Sequence, residues 1–360
     1  MKSFQTFSIA LLLLFFSVKI WANDGAYFAS GNQLIPIFET DISVKKEILK
    51  LKKVENDYIE VSVYYEFFNP GKEKEIVVGF EAMPPEGDVE YFVKDGKHPY
   101  IYDFTVNLNS ENLPFKVAYV ADSLYADKGK METVRLEKFK EFGLGYFYVY
   151  HFNAKFKQGL NVIQHTYCYK LSGSVDYHYD FEYILSAASR WKDGKIEDFT
   201  LILDLGSYET FSIKKGFFQN AGEWEVEGAY KTESISKNGG FIDSDALKFH
   251  SRTGKLSFKK INFEPKNELF VYAVNCHNCS VESEYLPFSM YQQMWIREPQ
   301  NHLERKILRN LPYARRGLVF KSPELNNFFR KMDWYMPDGN FSAENAFLTK
   351  PEEEWVKKWK

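Results

Sequence analysis

The stretch from Tyr146 to Phe156 constrains this chain more than any other. Tyr146, Tyr148, Tyr150, Phe152, Ala154 and Phe156 fall on every second position, with His151, Asn153 and Lys155 between the later ones. A period of two is that of a strand with one buried face, and no helix gathers such a set on one side. Ile59, Val61, Val63, Tyr65 and Phe67 repeat the pattern against Glu60, Ser62, Tyr64 and Glu66, and Asn69-Pro70-Gly71 then turns the chain toward Ile76-Val77-Val78. Further strands are predicted at Ile101–Val106, Phe115–Val120, Phe199–Leu205, Trp224–Tyr230, Leu247–His250, Leu256–Phe263 and Leu269–Val274. Strands this closely spaced, with no long helices between them, favour antiparallel sandwiches over a parallel α/β sheet. Met131–Phe142 is the one helical-looking insertion. With 33 Phe and 24 Tyr the chain can build large cores. The expected fold is mainly β. One or two antiparallel β-sandwiches span residues 23–173 and 174–296, followed by a small α-helical module at 297–360.

Gln158-Gly159 links the 146–156 strand to Leu160–His165, and so short a link predicts a hairpin. Its register sets His151 opposite His165, a cross-strand pair able to meet a metal. The plain alternative is two histidines on a half-buried, tyrosine-rich face, and neither metal nor cofactor is expected. Cys276-x-x-Cys279 is a disulfide candidate, with a redox pair or half a metal site as alternatives. A strand rather than a helix start leads into it, and only His277 is near as a further ligand. Cys168, on a strand, is expected to be a buried thiol.

Lys2 precedes an apolar run from Ile9 to Val18, and Ile20-Trp21-Ala22 ends in a small residue. This predicts a signal peptide over residues 1–22, too short for the ~20 apolar residues of a spanning helix. The mature form is expected to have no transmembrane span and to be secreted, either periplasmic or extracellular. Its net charge moves from -3 to about -5 on losing Lys2 and Lys19, which argues against nucleic acid as the main partner.

Ser-x-x-Lys occurs at Ser43, Ser212 and Ser257, each at a strand edge or turn and without the partner motifs of penicillin-binding enzymes. Asp338, Asn340, Ser342 and Glu344 alternate like a calcium loop, but Ala343 and Thr349 stand where that loop needs Gly and Glu. A turn followed by a cap explains them better.

The end of the chain reads as helices. Asn301 with Glu304 makes an N-terminal cap, Leu303, Ile307, Leu311 and Ala314 recur at helical spacing, and Gly317 suits the left-handed stop. Pro312 predicts a kink or restart before Tyr313. Ser322-Pro323-Glu324 starts a second helix with Leu325, Phe328, Phe329 and Met332 on one face. Thr349 to Glu352 caps a third, whose Trp355, Val356 and Trp359 should fold back. Between His302 and Lys331 stand Arg305, Lys306, Arg309, Arg315, Arg316, Lys321, Arg330 and Lys331 against Glu304 and Glu324. Tyr313, Arg315, Arg316, Trp334 and Tyr335 are therefore the candidate binding residues, arginines for anionic groups and aromatics for sugars. The alternative is a solvated helix face with Arg315 as a structural ion-pair partner.

The run Leu311-Pro312-Tyr313-Ala314-Arg315-Arg316-Gly317-Leu318-Val319-Phe320, with Phe328-Phe329 and Trp334-Tyr335-Met336-Pro337 behind it, resembles the YARHG domain of exported bacterial proteins. Arg316 stands where the family's name has His. The resemblance implies an extracytoplasmic setting and no reaction. Asn32–Pro36, Thr40–Ser43, Val61–Asn69, Tyr146–Tyr169, Tyr183–Leu185 and Trp191–Phe199 resemble an exported bacterial family of unknown function, which implies a β architecture. The expected role is non-enzymatic binding or docking in the bacterial envelope, with peptidoglycan, lipopolysaccharide or an envelope protein as partner. A cell-wall polymer hydrolase with its site between body and module is one rival, and a structural or assembly subunit another.

Overall fold

The computed structural model describes residues 34–36, 40–55, 57–82, 96–121, 146–236 and 245–360. The expected signal peptide and the Met131–Phe142 insertion lie outside the described residues. Strands are numbered here in chain order. A wide sheet of eight runs β13 (Trp224–Glu227), β16 (Lys255–Phe263), β11 (Lys192–Asp204), β2 (Ser43–Val54), β3 (Tyr58–Asn69), β9 (Gly159–Lys170), β5 (Ile101–Leu108), β6 (Glu111–Asn112). A sheet of four runs β1 (Leu34–Pro36), β4 (Lys74–Ala82), β8 (Tyr146–Phe156), β7 (Lys116–Ala121). A sheet of five runs β10 (Tyr177–Tyr183), β17 (Leu269–Val274), β12 (Glu209–Lys214), β15 (Ala246–Ser251), β14 (Tyr230–Ile235).

Both smaller sheets lie on one face of the wide one. The alternation in β3 decides which face: Ile59, Val61, Val63, Tyr65 and Phe67 are buried, while Glu60 and Phe68 on the opposite face are exposed. On one side the four-stranded sheet meets it through Phe156 against Phe67 and Phe80 against Tyr167, with ring centroids 5.7 and 4.9 Å apart. On the other, the five-stranded sheet meets it through Phe249 against Trp224 at 5.9 Å and Phe181 against Tyr169 at 6.5 Å. One continuous apolar cluster fills the space between, from Ile42 to Ala273.

Five expectations change. β2 and β11 pair in parallel, so the wide sheet is not wholly antiparallel, and strands from both sides of residue 173 share it. That boundary therefore cuts through the wide sheet and its core, although it parts the four-stranded sheet from the five-stranded one. β8 and β9 do not form a hairpin, because β8 pairs with β4 and β7 while β9 pairs with β3 and β5. The link is an arch from one layer to the other, held by the Asn161 carboxamide, whose oxygen accepts from Lys157 N–H at 2.9 Å and whose nitrogen donates to Lys157 O at 2.9 Å. Each strand presents a buried face rich in aromatic rings, so the two bury more by facing one another across the core than by lying edge to edge. His151 and His165 thus sit in different sheets and form no metal pair. Cys168 is half-buried on the solvent side of β9 rather than a core thiol.

The C-terminal module has its own apolar core, which includes Val281, Leu286 and Phe288 from before the expected start at residue 297. Its helices are α1 (His302–Arg315), α2 (Pro323–Phe329) and α3 (Lys350–Lys358). Asn301 Oδ1 caps α1 by accepting from Glu304 N–H at 2.9 Å, as its position predicts. Leu303 stays 42% exposed, outside the buried stripe. α1 runs through Pro312 without a restart. Proline removes the amide that would serve the Leu308 carbonyl four residues back, and the Trp355 indole of α3 takes its place, donating to Leu308 O at 2.7 Å. Trp355→Phe is expected to cost about 1–3 kcal/mol, because that carbonyl is left buried without a donor. Pro312→Ala in the same chain should recover part of the loss in a chemical melt, since it restores the missing amide. No helix among the described residues is long and apolar enough to cross a membrane.

Candidate functional site

The five residues expected to form a binding face turn inward. Arg315 is 1% exposed, and its guanidinium donates to Pro287 O at 2.9 Å and Ser289 O at 3.2 Å. Arg316 lies beside it, forked onto the Glu352 carboxylate at 2.6 and 2.7 Å and also donating to Pro312 O and Phe347 O. Trp334 is buried and its indole donates to Leu286 O at 2.6 Å, while the Tyr335 hydroxyl donates to Leu318 O at 2.6 Å. Tyr313 is half-buried against the same core. This corrects the docking face: helical spacing puts these groups next to one another, but the 281–289 segment and α3 close over them. Gly317, in the left-handed region at φ +91°, lets the chain leave α1 where any Cβ would collide with Met336 O.

The wider run of cations is dispersed as well. Lys306 pairs with Glu324 at 3.1 Å and Lys331 with Glu284. Arg305, Arg309, Lys321 and Arg330 carry no ion pair among the described residues. Asp338 opens a turn by accepting from Asn340 N–H at 3.0 Å.

The module is clamped to the β body at several points. Arg252, next to β15, donates to Arg316 O at 3.1 Å and Met336 O at 3.2 Å. The Arg316 guanidinium lies 4.9 Å from the centre of the Tyr208 ring. Lys53 on β2 forms a buried ion pair with Glu209 at 2.5 Å and sits under the rings of Tyr179 and Tyr291, at 4.9 and 5.2 Å. Burial pushes the Glu209 carboxyl above its ordinary range in spite of that pairing.

An open cavity lies where the body hands over to the module. Cys276 and Cys279 are joined as a disulfide with Cα atoms 5.6 Å apart, closing a tight turn directly after β17. The turn is braced by Ser283, whose hydroxyl donates to Asn278 O at 3.0 Å, and by Arg297 N–H donating to Cys279 O at 2.9 Å. Beside it opens a cavity of about 470 Å³ lined by His277, Asn278, Glu282, Ser283, Trp295 and Arg297, among others. Arg297 and Glu282 pair across it at 2.7 Å. Trp295 is 50% exposed, whereas Trp191, Trp224, Trp334, Trp355 and Trp359 are all buried. The cavity thus offers an aromatic wall, a carboxylate, a guanidinium, an amide and hydroxyls within one open space, the mixed lining of sites for polar ligands. Sequence reasoning chose Trp334 because it follows the motif. Trp295 carried a signal only in lying between polar Gln292-Gln293 and charged Arg297, each two or three residues away.

Residues 290–360 match the YARHG domain. A Legionella pneumophila structure, provisionally described as a nutrient binding protein, is 18% identical, aligns over 94% of this chain and 100% of its own, and superposes with a TM-score of 0.51. That likeness is one of fold. A Deinococcus radiodurans M1 zinc metallopeptidase overlaps 66% of this chain and 43% of its own at 10% identity and a TM-score of 0.26, too loose an overlap to bear on the chain. None of the curated proteins matches it.

Proposed function

We propose that the protein is an exported, non-enzymatic binding protein of the bacterial envelope, and that its ligand is a saccharide portion of an envelope polymer seated against Trp295. The observation that carries this reading is the exposure of Trp295, alone among the described tryptophans, on the wall of a polar cavity. An indole face covers the apolar face of a sugar ring, and Asn278, Glu282, Ser283 and Arg297 supply donors and acceptors for its hydroxyls. The YARHG match supports an exported setting, and the fold shared with a protein described as nutrient binding agrees with a binding role. The disulfide keeps the turn in shape in an oxidising compartment without needing a large core beneath it.

The test is retention of the mature chain on purified peptidoglycan and, separately, on lipopolysaccharide. Trp295→Ala is expected to weaken retention on one of them by about 30-fold or more, the scale of a binding hot-spot tryptophan. Its melting temperature should stay close to wild type, because a half-exposed side chain contributes little to stability. Unchanged retention in the variant, or no retention of the wild type on either polymer, would overturn the reading.

A further inference from the structure

A second cluster lies at the junction of body and module, away from the Trp295 cavity. Glu233 on β14 stands directly across from Lys248 on β15, and His250 follows two residues along the same face. Asp333, just past α2 in the module, comes down onto them. His250 is 3% exposed. Its Nδ1 lies 2.8 Å from Thr210 Oγ1, which fixes the ring, while Nε2 faces Asp333 Oδ2 at 3.5 Å, an ion pair only when the ring is protonated. With the proton on Nδ1, the Nε2 lone pair and the carboxylate are two acceptors facing one another, and a cation between them would serve both.

The donor set says which cation, and its ligands would draw in slightly to hold it. Two ligands bound at about 2.0–2.2 Å to one tetrahedral zinc ion lie about 3.4 Å from each other. One ligand atom each from Glu233, His250 and Asp333 all fall within 4.8 Å of one another. An imidazole nitrogen with two carboxylate oxygens suits a borderline divalent ion, and Thr210 accepting from Nδ1–H would leave the Nε2 lone pair free to bind it. We infer that Glu233, His250 and Asp333 form a divalent-cation site, zinc by its donor set, that ties the module to the β body.

Lys248 offers the same cluster a second cation. Its ammonium lies 2.6 Å from Glu233 Oε2 and 3.3 Å from Asp333 Oδ2, so it supplies the positive charge the two carboxylates need. Its long stem, with a side chain 20% exposed, can swing the charge outward when a metal enters. Ammonium and metal therefore compete for one position. Removing the lysine should strengthen metal binding, the reverse of what a purely structural ion pair predicts.

The experiment is zinc titration by calorimetry, with melting curves, on the tag-free mature chain stripped with EDTA. Zinc is expected to raise the melting temperature of the wild type. Lys248→Met is expected to bind zinc at least tenfold more tightly. Asp333→Asn, at a partly exposed position, and His250→Ala are each expected to weaken binding tenfold or more, and the aspartate variant keeps the test valid if the buried histidine variant fails to fold. No binding heat and no melting shift in both wild type and Lys248→Met would overturn the proposal, as would affinity unchanged in a folded Asp333→Asn.

Discussion

Replacing Glu352 by alanine is expected to cost the C-terminal module about 3–5 kcal/mol, the usual penalty for removing one partner of a buried ion pair. The Arg316 and Glu352 side chains are 8% and 2% exposed. The carboxylate holds the guanidinium through two parallel bonds while accepting from Thr349 N–H at 2.8 Å and Thr349 O–H at 3.1 Å. One side chain therefore satisfies a buried charge at the end of α1 and caps the start of α3. In Glu352→Ala both ends lose their partner together, and the guanidinium keeps only backbone carbonyls and the Tyr208 ring. Hydrogen exchange should show residues 281–360 opening well before the β body. Arg316→Lys should fail nearly as badly, because an ammonium lacks the planar fork that reaches Glu352, Pro312 and Phe347 at once. Exchange rates in the module within about threefold of wild type for Glu352→Ala would show that the pair does not hold it.

The second large effect is a loss of stability in acid traceable to His165. This ring is fully buried on β9, stacked near Tyr65 and Tyr167, and burial alone pushes its pKa down to about 3. The unfolded chain takes up a proton near pH 6.5 that the folded chain refuses until far lower pH. Above pH 6.5 both states are neutral and His165 contributes no slope. Below it the unfolded state binds one more proton, so stability falls by about 1.4 kcal/mol per pH unit. By pH 4.5 that is about 2.7 kcal/mol, and the decline continues toward the folded value near 3. His165→Leu should lie progressively above the wild type as pH drops through this window, in denaturant melts read every half unit. Parallel profiles for the two chains would remove His165 as the cause. Other histidines, among them His151 and His178, titrate in both chains, so the difference isolates one residue.

The candidate site shows how unevenly the sequence speaks. A tryptophan downstream of a conspicuous motif, Trp334, and two arginines inside it were natural choices for a surface. Trp334 and Arg315 face inward because the 281–289 segment supplies carbonyls at Leu286, Pro287 and Ser289 for their donors, and Arg316 because Glu352 and the Phe347 carbonyl meet it. Nothing within a few residues of Arg315 announces those partners, 26 and 28 positions away. Trp295 stays open for the converse reason, since no later element covers the cavity beside the disulfide. The Cys276-x-x-Cys279 turn was legible because its two ends are held close by the chain itself.

Local order was written in the sequence wherever backbone hydrogen bonding within a few residues decides it. The period of two produced β3 and β8, Asn301 and Thr349 marked the starts of α1 and α3, and Gly317 marked a stop. Only the tertiary structure decided which strands pair. The arch at Lys157 and a hairpin share the same turn residues, and the choice rests on aromatic faces from β3, β4 and β5 that arrive from elsewhere in the chain. It decided as well that α1 continues through Pro312, because the indole that replaces the missing amide is 47 residues from the Leu308 carbonyl it serves. Alternation and caps are properties of neighbours along the chain. Burial is a property of whatever else folds against a surface.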